Sequence, residues 1–414
     1  MESIKEEKKL LMYTYLLSIV LFFNLFFVGE NGLDKGALIM GGIICFIFAY
    51  SHFIIRRFFP DGDKYILLFS NVLAVIGMGM IYRLDSAMAL KQLIWYTVGI
   101  ATFILVVVLM PSLSKFSKYK YFYLICTIIL MSMGSIFGKE VNGAKNWISI
   151  AGVTFQPTEF GKLSLVAYLA SSLQDYGENF KGKAELLKIK ALIEPGIVVM
   201  VSLGFMVIQK DLGSALIFFA ISITMLYIAT SNFKYILVCL GLFIIGGLIS
   251  YKLYEHVQLR FMIWGDPWKY GYKEGHQVVQ SLISIASGGL FGTGLGLGYP
   301  KMVPVRESDF IFSAISEEMG LLTGFAILIL YFLMFYRCMR VPIYSKDNFT
   351  RLLAVGYSTM IAAQALVIVG GVVGAIPLTG ITLPLVSYGG SSMIITFFSL
   401  GVLQKISEDG QSYE

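Results

Sequence analysis

Charge is scarce in this chain. Asp, Glu, Lys and Arg make up 14% of its 414 residues, where soluble domains run at about 25%. With a mean hydropathy of +0.76, that shortage excludes a chain folded in water. Histidine is scarcer still. His52, His256 and His276 are scattered without ligand spacing, so no metal centre is indicated. The four cysteines, Cys45, Cys126, Cys239 and Cys338, form no CxxC pair, which argues against a disulfide framework or a zinc site and leaves them as packing residues. The formal net charge is only +6, and its lysines and arginines follow the distribution that orients membrane proteins, not one that holds nucleic acid.

What the chain has instead is apolar runs. Segments near the roughly 20 residues that cross a bilayer as a helix recur at about 10–28, 36–57, 64–82, 92–110, 119–138, 158–173, 191–208, 211–229, 234–253, 310–336, 352–373 and 385–404. They predict an all-α polytopic membrane protein of about twelve transmembrane helices with no separate soluble domain. The first run follows "KEEKK", as a signal peptide would, yet "NLFFVGENG" offers no small-residue cleavage site, so this run reads as a retained helix.

With the N-terminus in the cytoplasm, the inner segments carry Lys5, Lys8, Lys9, Arg56, Arg57, Lys115, Lys118, Lys120, Lys181, Lys183, Lys188, Lys190, Arg337, Arg340 and Lys346. Alternate loops carry almost none, which places both termini in the cytoplasm and the longest loop, about 254–309, outside. Within that loop "SLISIASGGLFGTGLGLG" is too short and glycine-rich to span. It reads as re-entrant or interfacial, since non-helical backbone at membrane depth must be satisfied by protein or by a wet cavity. Its glycines lack the βαβ context and the Gly-Lys-Ser/Thr of a nucleotide loop.

Ionisable groups in such a chain are expensive and point to function. In "QPTEFGKL", Glu159 and Lys162 sit three apart on one helical face, either anchoring a helix end or projecting into an outward cavity. In "QKDLGSA", Lys210 and Asp211 form a tight turn, with Asp211 heading a helix N-terminus whose dipole favours a carboxylate in any case. The run "RFMIWGDPWKYGYKEGHQVVQS" combines Arg260, Lys269, Lys273, Gln277 and Gln280 with Trp264 and Trp268, which suits an anionic carbohydrate head group and equally an interfacial aromatic belt with snorkelling cations. In "VPVRESDFIFSAISEEMG", Asp309, Ser313, Ser316, Glu317 and Gly320 recur at helical period. That stripe predicts a polar cavity entering the bundle, with Asp309 at its mouth. Finally, "PLTGITLPLVSYGGSSM" predicts a broken helix in which Ser387, Ser391 and Ser392 replace lost backbone partners or touch a ligand.

Taken together, "NGAKNWI", "FQPTEFGKL", "QKDLGSA", "QVVQSLISIASGGLFGTGLG", "SDFIFSAISEEMG" and "PLTGITLPLVSYGGSS" resemble, in order and wording, the motifs of the shape, elongation, division and sporulation (SEDS) family that includes RodA, FtsW and SpoVE. The resemblance covers roughly residues 64–405. It implies a core of about ten helices over 64–414, two additional N-terminal helices within 1–63, and the outer loop at about 254–309. It departs from the family pattern at Lys145-Asn146, where one cation is lost, and at Val303 and Val305, where an acid is lost. Further departures are Ile368, which replaces an asparagine, and Lys210, which replaces a proline.

The resemblance also implies an activity: peptidoglycan glycosyltransferase, polymerising lipid II at the outer face of the bacterial cytoplasmic membrane together with a class B penicillin-binding protein. By motif, the family's essential aspartate falls on Asp309, expected as the general base. Glu159, Lys162 and Asp211 match other family positions, and Arg260, Gln277, Lys301 and Ser387 complete the expected substrate-binding set. Positive charge for the departing pyrophosphate would come from Lys162, Arg260, Lys301 or Arg306, or from a divalent cation such as Mg or Mn for which no dedicated ligand set is visible. Two other functions stay open at this point. A lipid II flippase would also want a polar cavity, although only one strongly broken segment is evident where transporters show paired ones. A noncatalytic scaffold would have no need of Asp309.

Overall fold

Helices begin where the apolar runs begin. The computed structural model describes residues 2–28, 32–141, 144–150, 153–179, 182–345 and 347–411, so Lys181 and Lys346 of the charge pattern lie outside the described residues. The chain opens with a helical hairpin, α1 (Glu2–Phe27) and α2 (Lys35–Phe58), followed by α3 (Tyr65–Leu84), α4 (Ser86–Leu109) and α5 (Lys120–Phe137). A small antiparallel meander in the order β1 (Lys139–Val141), β2 (Ala144–Ile150), β3 (Val153–Phe155) leads into α6 (Pro157–Leu173). The short α7 (Tyr176–Asn179) then precedes α8 (Glu185–Ile208), α9 (Leu212–Thr230) and α10 (Phe233–Leu253). The long loop folds into α11 (Glu255–Gly265) and α12 (His276–Gly288), and the bundle closes with α13 (Ile311–Arg340), α14 (Asn348–Val372) and α15 (Gly390–Gln411).

Among the described residues ten helices are long and apolar enough to cross a membrane. The 17-residue α6 and the less apolar α15 fall just short of that measure and bring the bundle to the expected number. The meander and the two loop helices are additions that apolar-run reading does not see.

Several of the scarce acids are caps. Asp34, Asp85, Asp211 and Asp347 each accept a backbone N–H in the first turn of α2, α4, α9 and α14, satisfying donors that a helix start would otherwise leave unpaired. Burial is uneven across the bundle. Residues of α3 from Ile66 to Ile81 are almost all buried, whereas α10 has no buried residue and meets α9 through the stacked Phe219 and Phe243 rings, 4.0 Å apart.

Two breaks shape the end of the bundle that carries Asp309. Gly320 interrupts α13 with φ of +84° and ψ of +164°, and the glycine loop that follows α12 fills the gap. Thr293 N donates to Glu317 O at 2.9 Å, Gly294 N to Glu318 O at 3.0 Å, and Leu321 N to Gly289 O at 3.0 Å. This is how irregular backbone survives at that depth: the loop and the kink satisfy each other. The second break is the non-helical stretch 373–389 between α14 and α15. It begins earlier and runs longer than expected, so α15 starts at Gly390, five residues beyond the predicted 385.

Candidate active site

Asp309 occupies a tight turn just ahead of α13. Val305 stands in the left-handed region with φ of +54°, and both Ser308 N and Phe310 N donate back to its carbonyl, at 3.3 and 3.4 Å. Buried Val303, Phe310 and Ile311 pin the turn. The carboxyl is partly exposed yet crowded by protein. Burial pushes its pKa up from 3.8 to about 6, while the Ser308 hydroxyl, donating at 2.9 Å, and the Arg260 guanidinium pull the other way. A carboxylate with a pKa that close to neutrality is suited to accepting a proton.

Arg260 arrives from α11. Its Nη1 donates to the carbonyls of Leu378 and Thr379 at 3.1 and 3.2 Å, at the start of the non-helical stretch. The next residue, Gly380, faces Asp309 so closely that a Cβ added there would lie 3.6 Å from Oδ2. Burial lowers the pKa of Arg260, offset by the charges of Asp211 and Asp309. On the other side of this strap lies an apolar cavity of about 1390 Å³ between α8, α9 and α10, whose wall includes Val257, Phe261, Leu378 and Thr379. The acid and the cavity are therefore separated by one strap of backbone.

That strap is tied down from two directions. Lys162 Nζ donates to Glu159 Oε1 at 2.7 Å and to Gln364 Oε1 at 2.8 Å, and Gln364 Nε2 donates to the Thr382 carbonyl at 3.0 Å. Lys162 is 1% exposed, so Glu159 and Lys162 act inside the bundle, not on an outward cavity wall. Ser387 Oγ donates to the Ser308 carbonyl, next to Asp309, and accepts from Leu383 N at 2.9 Å. Tyr388 N donates to the Glu307 carbonyl at 2.8 Å. Gln92 on α4 completes the set, with Nε2 to the Ser387 carbonyl at 3.0 Å and Oε1 accepting from Gly389 N at 3.2 Å.

The polar stripe below Asp309 is filled and does not line an open cavity. Ser313 pairs with Ser281 of α12 at 2.6 Å. Glu317 accepts from Ser284 Oγ, and from Tyr299 N at 2.6 Å. Glu318 accepts from Gly296 N at 2.9 Å and pairs with Arg83 at 3.2 Å. The expectation of a polar cavity is corrected accordingly. The spacing was that of a helix face meeting water, but the polar groups it meets belong to α12, to the loop that follows it and to Arg83.

Asp211 is likewise occupied, accepting from Ser214 N and Oγ at 3.0 and 2.8 Å and from Asn146 Nδ2 at 2.7 Å. Asn146, at the position where the family pattern has a cation, thus links the β2 strand to the α9 cap. Gln277 stands partly exposed in the first turn of α12, and Lys301 is exposed in the Pro300–Met302 turn. The residues that hold the site together and were not foreseen are Gln364, Gln92 and Arg83. Their only signal was a lone polar side chain within or at the end of an apolar run. Among the described residues no group of three or more His, Cys, Asp and Glu side chains converges as a metal-binding set.

Known proteins resemble the chain along most of its length. The model of the cell cycle protein family that groups FtsW, RodA and SpoVE matches residues 64–412. The chain is 37% identical to the peptidoglycan glycosyltransferase RodA of Mycobacterium tuberculosis over 380 residues, covering 87% of this chain and 81% of that protein. It is 31% identical to the stage V sporulation protein E of Bacillus subtilis, covering 83% and 96%. Among solved structures, a chain of a peptidoglycan synthase complex that coordinates polymerization and crosslinking superposes with a TM-score of 0.71 at 25% identity, covering 84% of this chain and 98% of that one. The rod shape determining protein RodA of Thermus thermophilus superposes with a TM-score of 0.63, also at 25% identity, covering 84% and 97%.

Proposed function

The chain belongs to the FtsW, RodA and SpoVE family of multi-pass membrane proteins, and we propose that, as a peptidoglycan glycosyltransferase, it polymerises lipid II with Asp309 as general base. A sugar hydroxyl of one lipid II attacks the anomeric carbon of another chain. Asp309 accepts the hydroxyl proton as the new C–O bond forms, and the bond to the undecaprenyl pyrophosphate breaks. Base catalysis of this kind contributes about 10²- to 10⁴-fold. The observation that carries the reading is the strap 378–380, with an apolar cavity of about 1390 Å³ on one side and a carboxyl of raised pKa on the other. The cavity suits a polyprenyl tail, and a head group at the strap beside it would meet Asp309 and Arg260.

Arg260, Lys301 and Arg306 are candidates to face the pyrophosphate, with Gln277 available to the sugars. Glu159, Lys162, Asp211 and Ser387 act on substrate through the elements they hold. No step is assigned to a divalent cation, because among the described residues no dedicated ligand set converges. An even number of membrane helices supports reading both termini on one side, and the charge pattern supports reading that side as the cytoplasm. The work is done outside, beside a class B penicillin-binding protein.

Purified Asp309→Asn protein, supplied with lipid II and that partner, tests the reading. Polymer formation should fall by about 10²-fold or more. A folded variant that polymerises at the native rate removes Asp309 as the base.

A further inference from the structure

Tyr82 and Arg83, consecutive residues at the last turn of α3, reach in two directions. The Tyr82 hydroxyl donates to Asp34 Oδ2 at 2.8 Å, at the cap of α2, and its ring meets Phe22 of α1 edge-on. Tyr82 therefore holds the N-terminal hairpin. Arg83 Nη2 donates to the Gly296 carbonyl at 3.1 Å and lies 3.2 Å from Glu318 Oε1, while Glu318 Oε2 accepts the Gly296 N–H at 2.9 Å. One ion pair, with the Glu318 side chain fully buried, thus grips both backbone polar groups of a single loop residue.

Gly296 is also where the hairpin touches the loop. Its φ is +85°, a conformation that costs other residues strain. A Cβ added to it would lie 1.8 Å from Val28 Cγ1. Val28, just past the end of α1, is seated directly on the loop. From Gly296 the chain runs to Tyr299, whose N–H is held by Glu317. It continues through buried Pro300 and Val303 into the Val305 turn that presents Asp309.

We infer that the α1–α2 hairpin and the Arg83–Glu318 pair together clamp the glycine loop so as to set the position of Asp309, making Val28, Arg83 and Glu318 positioning residues for polymerisation. The inference rests on Asp309 being the base, and it gives the hairpin a task beyond membrane attachment. A pair that merely stapled α3 to α13 would not need to enclose both polar groups of a loop residue. A hairpin that merely anchored the chain would not need to end on that residue.

The test uses the full chain in nanodiscs with its partner and lipid II. Val28→Gly and Glu318→Gln are compared with Val20→Ala on the exposed face of α1. Turnover and KM are measured alongside amide exchange over 293–309. Loosening the clamp should speed exchange in that segment and lower turnover by about tenfold or more, since small misplacements of a reacting group are costly. KM should stay within a few-fold and Val20→Ala should match the parent protein. Val28→Gly lies at the edge of the bundle and guards against the chance that Glu318→Gln fails to fold. Faster exchange with unchanged turnover overturns the inference, as does unchanged exchange in both variants. Native turnover by Asp309→Asn sinks the base assignment instead, and the exchange measurement still reads whether the hairpin holds the loop.

Discussion

Lys162 and Glu159 form a 2.7 Å ion pair inside the bundle, with side chains 1% and 7% exposed. Gln364 is the second acceptor for the lysine and carries the network on to the Thr382 carbonyl. Removing one member of a buried pair strands the other, at a cost of about 3–5 kcal/mol. Lys162→Met is therefore expected to lower thermal stability sharply in detergent, and Glu159→Gln/Lys162→Met to recover most of it. A double-mutant cycle on the melting transition checks this. If Lys162 instead acted mainly on substrate, the single variant would raise KM while melting like the parent protein.

The pH dependence of turnover should report Asp309. Its pKa is raised to about 6, so the base form is lost as pH falls through that value, and turnover should show an acid limb there. Arg260 favours the carboxylate form. Arg260→Gln is expected to move the acid limb to higher pH, and it also frees the Leu378 and Thr379 carbonyls. A profile whose acid limb does not move would mean that Arg260 serves the strap alone.

The same shift has a stability consequence of opposite sense. A carboxyl whose folded pKa, about 6, lies above its unfolded value of 3.8 binds more protons when folded. Its contribution is fully present below pH 3.8 and is lost as pH rises through 6. Asp309→Asn should accordingly raise the melting temperature at neutral pH, and the gain should vanish near pH 4. Melting curves at the two pH values decide it. A gain of equal size at both would point to a cause other than the buried charge.

Helix positions and the family were legible in the sequence because apolar runs and ordered motifs are local signals. Asp309 stood out for the same reason, as a carboxyl at the head of an apolar run. The pairing of Glu159 with Lys162 was legible too, from its spacing of three, but the more distant polar partners were not, because they come from far along the chain. Lys162 is met by Gln364, 202 positions away, and Gln92 by Ser387, 295 positions away. Glu317 and Glu318 show the limit most clearly. Periodicity put Glu317 on the polar stripe of α13, yet nothing in the spacing said that Glu317 and its neighbour Glu318 would be covered by the loop at 289–299 and not by water. The β1–β3 meander was missed because its strands are short and flanked by stronger helix signals.

Gly288 tests that covering loop directly. It ends α12 against the kinked part of α13, and a Cβ there would lie 2.1 Å from the Ser316 carbonyl oxygen and 2.7 Å from Glu317 Cα. Both obstacles are backbone, so neither can swing aside as a flexible side chain would. Gly288→Ala should cost about 1–3 kcal/mol or more through overpacking, and it should depress turnover by shifting the loop that leads to Asp309. Gly241→Ala on α10 is the matched control, since its Cβ would meet nothing within 4 Å. There alanine should be neutral or stabilising by about 0.5–1 kcal/mol, the usual advantage over glycine within a helix. Equal melting temperatures for the two variants would mean that α12 and α13 can separate without loss, and the close approach at Gly288 would then have no part in holding the site.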